Sequence, residues 1–323
     1  MRKFIFTTFI LAVSFLNAEA WQLAESNNKF ALDIYNQTSL PAENYIFSPL
    51  SISSALAMTF GGAAGITEQE MRKVLYFSDD NNLVHQSFAN FISDYQKLNS
   101  EKVEVQLANS LWIQEDYKLR KSFLELMEKY YDSKLFKVNY KTEPQKSADR
   151  INSWVEKITK EKIKNIIKPN IITSATKLIL CNAIYLKAEW RDQFEERFTK
   201  PGKFWLDKES SMQTPMMLKI DYFQLATFDN MKVVQLPYAG SDLAMTILLP
   251  NDVDGIDELE NELDPDLFSK INEQLKTKRV RIFLPKFKIE TTLNLNETLI
   301  NLGMTSAFSA SANFSKMEKT NSL

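Results

Sequence analysis

The stretch Leu178–Trp190, reading LILCNAIYLKAEW, limits what this chain can fold into more than any other. Its apolar residues run on without alternation, which fits a strand covered on both faces rather than one with a wet side. One amide, Asn182, stands inside the run. A buried side-chain amide without partners costs about 1–3 kcal/mol, so Asn182 is expected to join a hydrogen-bond cluster in the middle of a sheet. Trp190 closes the segment and should anchor one end of this central strand.

The remaining chain has ample length for a large core around that strand: 323 residues, 44% hydrophobic and 25% charged. The net charge of -2 gives no reason to expect nucleic acid or a membrane as partner. The seven glycines fall between periodic segments and read as turns and caps, not as a phosphate-cradling loop. Residues 1–20 read as an export leader, with Arg2 and Lys3 at the start, an apolar core from Phe4 to Phe15, and cleavage after Ala20. That apolar part is too short to span a bilayer, and no other run is long enough. The mature chain, 21–323, is then a secreted, extracellular single domain. Its one cysteine, Cys181, cannot form an internal disulfide and reads as a small buried hydrophobe. Sequons at Asn36, Asn296 and Asn313 are glycosylation candidates that need surface exposure.

Along the chain, 21–38 has helical spacing and Pro41 should end it. Ser48 reads as an N-cap with Pro49 at the first helical position, opening a buried helix that Gly61-Gly62 stops. Thr67 and Glu70 read as a capping box for a short helix. Residues 82–98, 123–131 and 148–158 follow as helices, with a half-buried strand from Val103 to Trp112 between the first two. Glu156 and Lys160 are placed for an i,i+4 ion pair. After the central strand the pattern turns to β: 198–206, 214–227, 233–236 and 243–249, with a turn at Pro201-Gly202. Two short helices near 256–275 precede a strand at 279–285, whose alternation continues through Lys286–Glu290. A last helix ends at Gly303. This order, helices first and strands after, gives an α+β fold with a large central mixed sheet and smaller sheets.

The side-chain inventory argues against an enzyme. A Ser-His-Asp triad would have to use the single histidine, His85, which reads as a surface residue, and no Gly-x-Ser-x-Gly elbow exists. One His and one Cys cannot build a zinc cluster, so no metal or other cofactor is expected. The pairs Asp79-Asp80 and Glu195-Glu196 sit in charged, turn-like surroundings with no cause for a raised pKa.

Several separated blocks resemble signatures of the serpins, the serine-protease-inhibitor family, in serpin order. They are Phe47–Ile52, Gly61–Gly65, Ile151–Val155 with Thr159 and Ile163, the stretch ending at Trp190, Leu284–Glu290, and Leu302–Thr305 with Phe308-Ser309. The resemblance covers residues 21–323. It implies a metastable fold, expected to be monomeric, whose exposed reactive loop is cleaved by a serine or cysteine protease and inserts into the main sheet, trapping the acylated enzyme. It also implies roles by position: Ser48, Ser51 and Asn182 in the shutter where the sheet opens, Trp190 and Lys286 in the breach above it. The family's reactive loop follows the block at Phe308-Ser309, and neither that loop nor its cleaved bond is found in this sequence. Two further readings stay open: a non-inhibitory carrier, chaperone or storage serpin, and a truncated isoform without inhibitory activity. Helix 82–98 has Lys97 as its one basic residue, which argues against glycosaminoglycan activation there. The basic stretches at Lys157–Lys168 and Lys276–Arg281 contain or adjoin acids and read as solvated faces.

Overall fold

The computed structural model describes residues 18–38 and 44–318. The expected leader falls almost wholly outside these residues, as does Pro41. Four helices open the fold: α1 (Ala18–Gln37), α2 (Pro49–Phe60), α3 (Gly65–Val74) and α4 (Asn81–Lys97). Then follow β1 (Val103–Gln114), α5 (Lys121–Tyr131), β2 (Lys134–Val138), α6 (Pro144–Ile158) and β3 (Leu178–Ala188). The β-rich part comprises β4 (Lys200–Trp205), β5 (Ser211–Thr227), β6 (Met231–Pro237) and β7 (Ala244–Pro250). Helices α7 (Ile256–Asn261) and α8 (Pro265–Gln274), strand β8 (Lys276–Pro285) and helix α9 (Asn296–Asn301) complete it.

A first sheet has the order β2-β1-β3. Strand β1 runs parallel to β2 and antiparallel to β3, with Asn109 opposite Asn182. One face of β3, through Leu178, Leu180, Ile184 and Leu186, lies on a core built from α1, α2, α4 and α5. The other, through Ile179 and Cys181, lies on Trp112, Tyr140 and Ile151 beneath α6. The uninterrupted apolar run is therefore covered on both faces, as expected. The strand is not central, however: among the described residues it pairs with β1 alone, along one edge. Apolar pattern reports which faces are covered and carries no information about edge pairing. A second, antiparallel sheet has the order β4-β5-β6-β7, with β8 also on β5.

Four local expectations are corrected. Pro201 and Gly202 lie inside β4, opposite Pro215 and Thr214, and form no turn. An edge strand tolerates a missing N–H, and the reversal instead comes at 206–210, where Asp207 Oδ1 accepts from the backbone of Glu209 and Ser210 at 2.8 and 2.7 Å. Residues Lys286–Glu290 form no strand: the ladder between β8 and β5 ends at Pro285, opposite Met216, and only the Lys286 N–H reaches on to Pro215, at 2.9 Å. Glu156 pairs with Lys164 and Lys160 with Glu104, because α6 stops at Ile158 and Lys160 has left the helix at φ 50.

The fourth is the capping box. Helix α3 begins at Gly65 with Ala64 as its N-cap, three residues early, and Thr67 is fully buried inside it. Thr67 Oγ1 accepts from Asn313 N at 3.0 Å and Ser306 Oγ at 3.1 Å. Glu70 accepts from Ser306 N and Oγ at 2.6 and 2.7 Å and from Thr305 Oγ1 at 3.1 Å. Burial opposes its charge, but these bonds outweigh that and hold its carboxyl below the usual range. Two residues that resemble a local cap instead clamp a segment more than 200 positions away.

Candidate functional site: a polar cluster beneath strand β3

Helix α2 begins as its sequence dictates. Ser48 has extended backbone, its Oγ accepts from Ser51 N at 3.2 Å, and Pro49 takes the first helical position. This start aims Ser51 and, one turn on, Ser54 at β3. Ser51 Oγ donates to Asn182 Oδ1. Asn182 Nδ2 donates to Asn109 Oδ1 at 2.8 Å and to Ser54 Oγ at 3.4 Å. Asn109 Nδ2 in turn donates to the carbonyl of Tyr131 at 2.8 Å. A continuous polar chain thus runs from α2 through β3 and β1 to the end of α5. Asn109 and Ser54 are each 1% exposed.

Of the three residues assigned to this region from sequence, the structure joins Ser51 and Asn182. Ser48 lies outside the cluster, exposed, and acts on it by fixing the start of α2. Asn109, Ser54 and Tyr131 were missed. Asn109 shares the inward, period-two face of Val103, Val105 and Leu107, so register on β1 could have found it.

His85 is a correction. It is 4% exposed, inside the core, with Nδ1 2.7 Å from Tyr131 Oη and the ring packed near Phe60 and Tyr130. Its spacing with Phe88, Ile92 and Tyr95 at i, i+3, i+7 and i+10 puts it on the buried face of α4 despite its polar neighbours. Burial pushes its pKa down from 6.5 to about 4, and the charge of Lys316 acts in the same direction. Burial raises the Tyr131 phenol well above its usual value, so a protonated phenol faces a neutral ring. Because Tyr131 also accepts from Asn109, the histidine adjoins the polar chain. Cys181, as expected, is buried; its thiol is pushed up to about 12 by burial, with Ser110 acting oppositely.

At the far end of β3, Trp190 stacks on Tyr238 at 4.7 Å and meets Phe194 edge-on. The Trp190–Tyr238 bridge ties the first sheet's strand to the end of β6. Lys286 is not brought to Trp190 by any hydrogen bond or ring contact. Its backbone N–H donates to Pro215 at 2.9 Å and its side chain is exposed. The two are related through one apolar cluster, in which Trp190 packs with Ile282 and Leu284.

Among the described residues no group of three His, Cys, Asp or Glu side chains could hold a metal, and no helix is long and apolar enough to cross a membrane. Lys97 on α4 is paired with Asp94 at 2.8 Å. The basic stretch after α6 is partly neutralised by Glu104, Glu156 and Glu161.

A sequence model of the family described as Serpin (serine protease inhibitor) matches residues 25–323. Serpin B3 of Homo sapiens is 35% identical over 315 residues, covering 91% of this chain and 80% of its own. The structure of ovalbumin from emu, Dromaius novaehollandiae, matches with a TM-score of 0.89 at 31% identity, covering 93% of this chain and 82% of that one. A cleaved serpin 42Da matches with a TM-score of 0.87 at 33% identity, covering 93% and 81%. The chain belongs to the serpin family and has its α+β fold. Proteins of that family are protease inhibitors rather than enzymes.

Proposed function

We propose that this chain forms the body of a secreted, monomeric inhibitor that traps serine proteases by loop insertion. The reading needs a reactive loop joined to the same chain. The observation that carries it is the cluster of Ser51, Asn182 and Asn109 beneath β3. A strand inserting beside β3 needs underlying contacts that can be exchanged without stranding a buried polar group. Hydroxyls and amides do this: Asn182 has two partners on α2 and one on β1, so it keeps a hydrogen bond as helix and strand shift. In this reading Ser51, Asn182, Asn109 and Ser54 form the shutter, with Ser48 setting its helix. Trp190, locked on Tyr238, belongs to the breach, and Lys286 is a breach residue through the neighbouring cluster. No cofactor takes part, and neither nucleic acid, glycosaminoglycan nor membrane is a partner.

The test has two stages. The intact mass of the deglycosylated protein from its native fluid is compared with residues 21–323, and the protein is then incubated with serine proteases. A larger mass with a detergent-stable complex supports the proposal. A mass ending at Leu323, or cleavage without a trapped complex, removes the inhibitor reading and leaves a carrier, storage or inactive product.

A further inference from the structure

The three sequons are placed very differently. Asn36 is the last residue but one of α1, and Asn296 is the first residue of α9. Both side chains are exposed, and neither amide makes a hydrogen bond among the described residues. Asn313 is half-buried and fixed on every side. Its backbone N–H donates to the buried hydroxyl of Thr67 at 3.0 Å, and its carbonyl accepts from Ala64 at 2.9 Å. Its Oδ1 accepts from Ser315 N at 3.1 Å, which settles the direction of the amide. The nitrogen, Nδ2, therefore points at the start of α3, 3.5 Å from where a side chain of Gly65 would begin. The flanking Ala312, Phe314 and Met317 are all buried, so the segment cannot swing outward without leaving the core.

We propose that Asn36 and Asn296 carry N-linked glycans and that Asn313 must remain a bare amide for the chain to fold. The inference rests on the secretion reading above. In the transfer, the amide nitrogen forms a bond to the anomeric carbon of a lipid-linked diphospho-oligosaccharide. The lipid diphosphate leaves, and the amide proton passes to a base of the membrane transferase. That reaction acts on extended chain, before folding. A glycan at Asn36 or Asn296 ends in solvent. A glycan at Asn313 must start from a nitrogen that stands against Gly65 at the head of α3, so the segment from Thr305 to Glu318 cannot seat there. Thr67 then keeps a buried acceptor without a donor, and Glu70 loses the three bonds that hold its carboxylate, a penalty of the kind that unfolds marginal proteins.

The full chain is expressed in a eukaryotic secretory host in two forms, one with residues 1–20 as they stand and one with those residues replaced by a leader of proven export. Protein from the medium and from the retained pool is treated with a peptide amidase in heavy-oxygen water, which marks each formerly glycosylated position. In secreted protein the mark is expected at positions 36 and 296 and absent at 313. A mark at 313 in secreted protein, or none at 36 and 296, overturns the assignment. If only the replaced leader gives export and the expected map, the secretion reading fails and the site assignment stands. The variant Ser315→Thr, a better acceptor sequon, should move chain into the retained pool marked at 313 and lower secreted yield several-fold. Secretion of that variant at full yield with a glycan on Asn313 overturns the folding claim; Asn313→Gln should secrete as the parent does.

Discussion

Mild acid, above the range where carboxylates titrate, should weaken this protein through His85. His85 has an unfolded pKa of about 6.5 and a folded value of about 4. A histidine whose folded pKa is depressed binds its proton more tightly in the unfolded chain. Its contribution is therefore fully present above the unfolded value and is lost as pH falls from 6.5 towards 4, after which this group adds no further slope. The shift of about 2.5 units corresponds to roughly 3.4 kcal/mol at about 1.36 kcal/mol per unit, and about 2 kcal/mol of it is gone by about pH 5. Within the window the slope approaches one proton, about 1.4 kcal/mol per pH unit. The cause is local: at 4% exposure among Phe60, Tyr130 and Tyr131, a protonated ring would lose water and face the charge of Lys316. The variant His85→Gln keeps a group able to bond the Tyr131 hydroxyl but does not titrate. Urea unfolding of both proteins from pH 7 to about pH 5 should show the parent losing about 2 kcal/mol more than the variant. Equal losses would mean that His85 is not held neutral by burial, and the account of the core around it would be wrong.

Other expectations follow from the same contacts. Asn182→Asp places a charge at the amide that donates to Asn109 and Ser54, so the monomer should lose about 1–3 kcal/mol and self-associate on mild heating; an unchanged monomer band on native gels would exclude the shutter role. Ser48→Ala removes the hydroxyl that accepts from Ser51 N and should lower the unfolding midpoint by the equivalent of about 1 kcal/mol, measured by thermal or denaturant melts. Cys181, buried and with its thiol pKa raised to about 12, should resist alkylation at neutral pH until β3 or α6 moves. Rapid labelling of the native protein would show that its cover over β3 is not intact.

Where sequence and structure agree, the information was local. The cap at Ser48-Pro49 and the apolar run of β3 are decided by a few adjacent residues, and both appear as expected. The polar cluster was half legible: one amide within an apolar run demands partners, but nothing near Asn182 says that they are Asn109 and Ser54. The errors have one origin. Thr67 and Glu70 satisfy the wording of a capping box, and Lys286–Glu290 the wording of a strand. What those residues do is set by groups far along the chain, Ser306 and Asn313 for the first and, for the second, the end of the β5 ladder at Met216. His85 was misread because polar neighbours in sequence are not neighbours in space on a helix.

The clamp on α3 also fixes an order of events. Thr67 waits for Asn313, 246 positions later, Glu68 for Lys316, and the bare backbone of Gly62 for the Met317 side chain that covers it. During vectorial synthesis Arg72 and Asn81 soon reach Glu68, but the buried hydroxyl of Thr67 emerges unmet, and no intermediate chain length supplies its donors at Ser306 and Asn313. Contacts this distant are the slowest to form. The amino-terminal helices must therefore be kept from aggregating through most of translation, and a ribosome that stalls before residue 305 releases a chain whose first-made part cannot close.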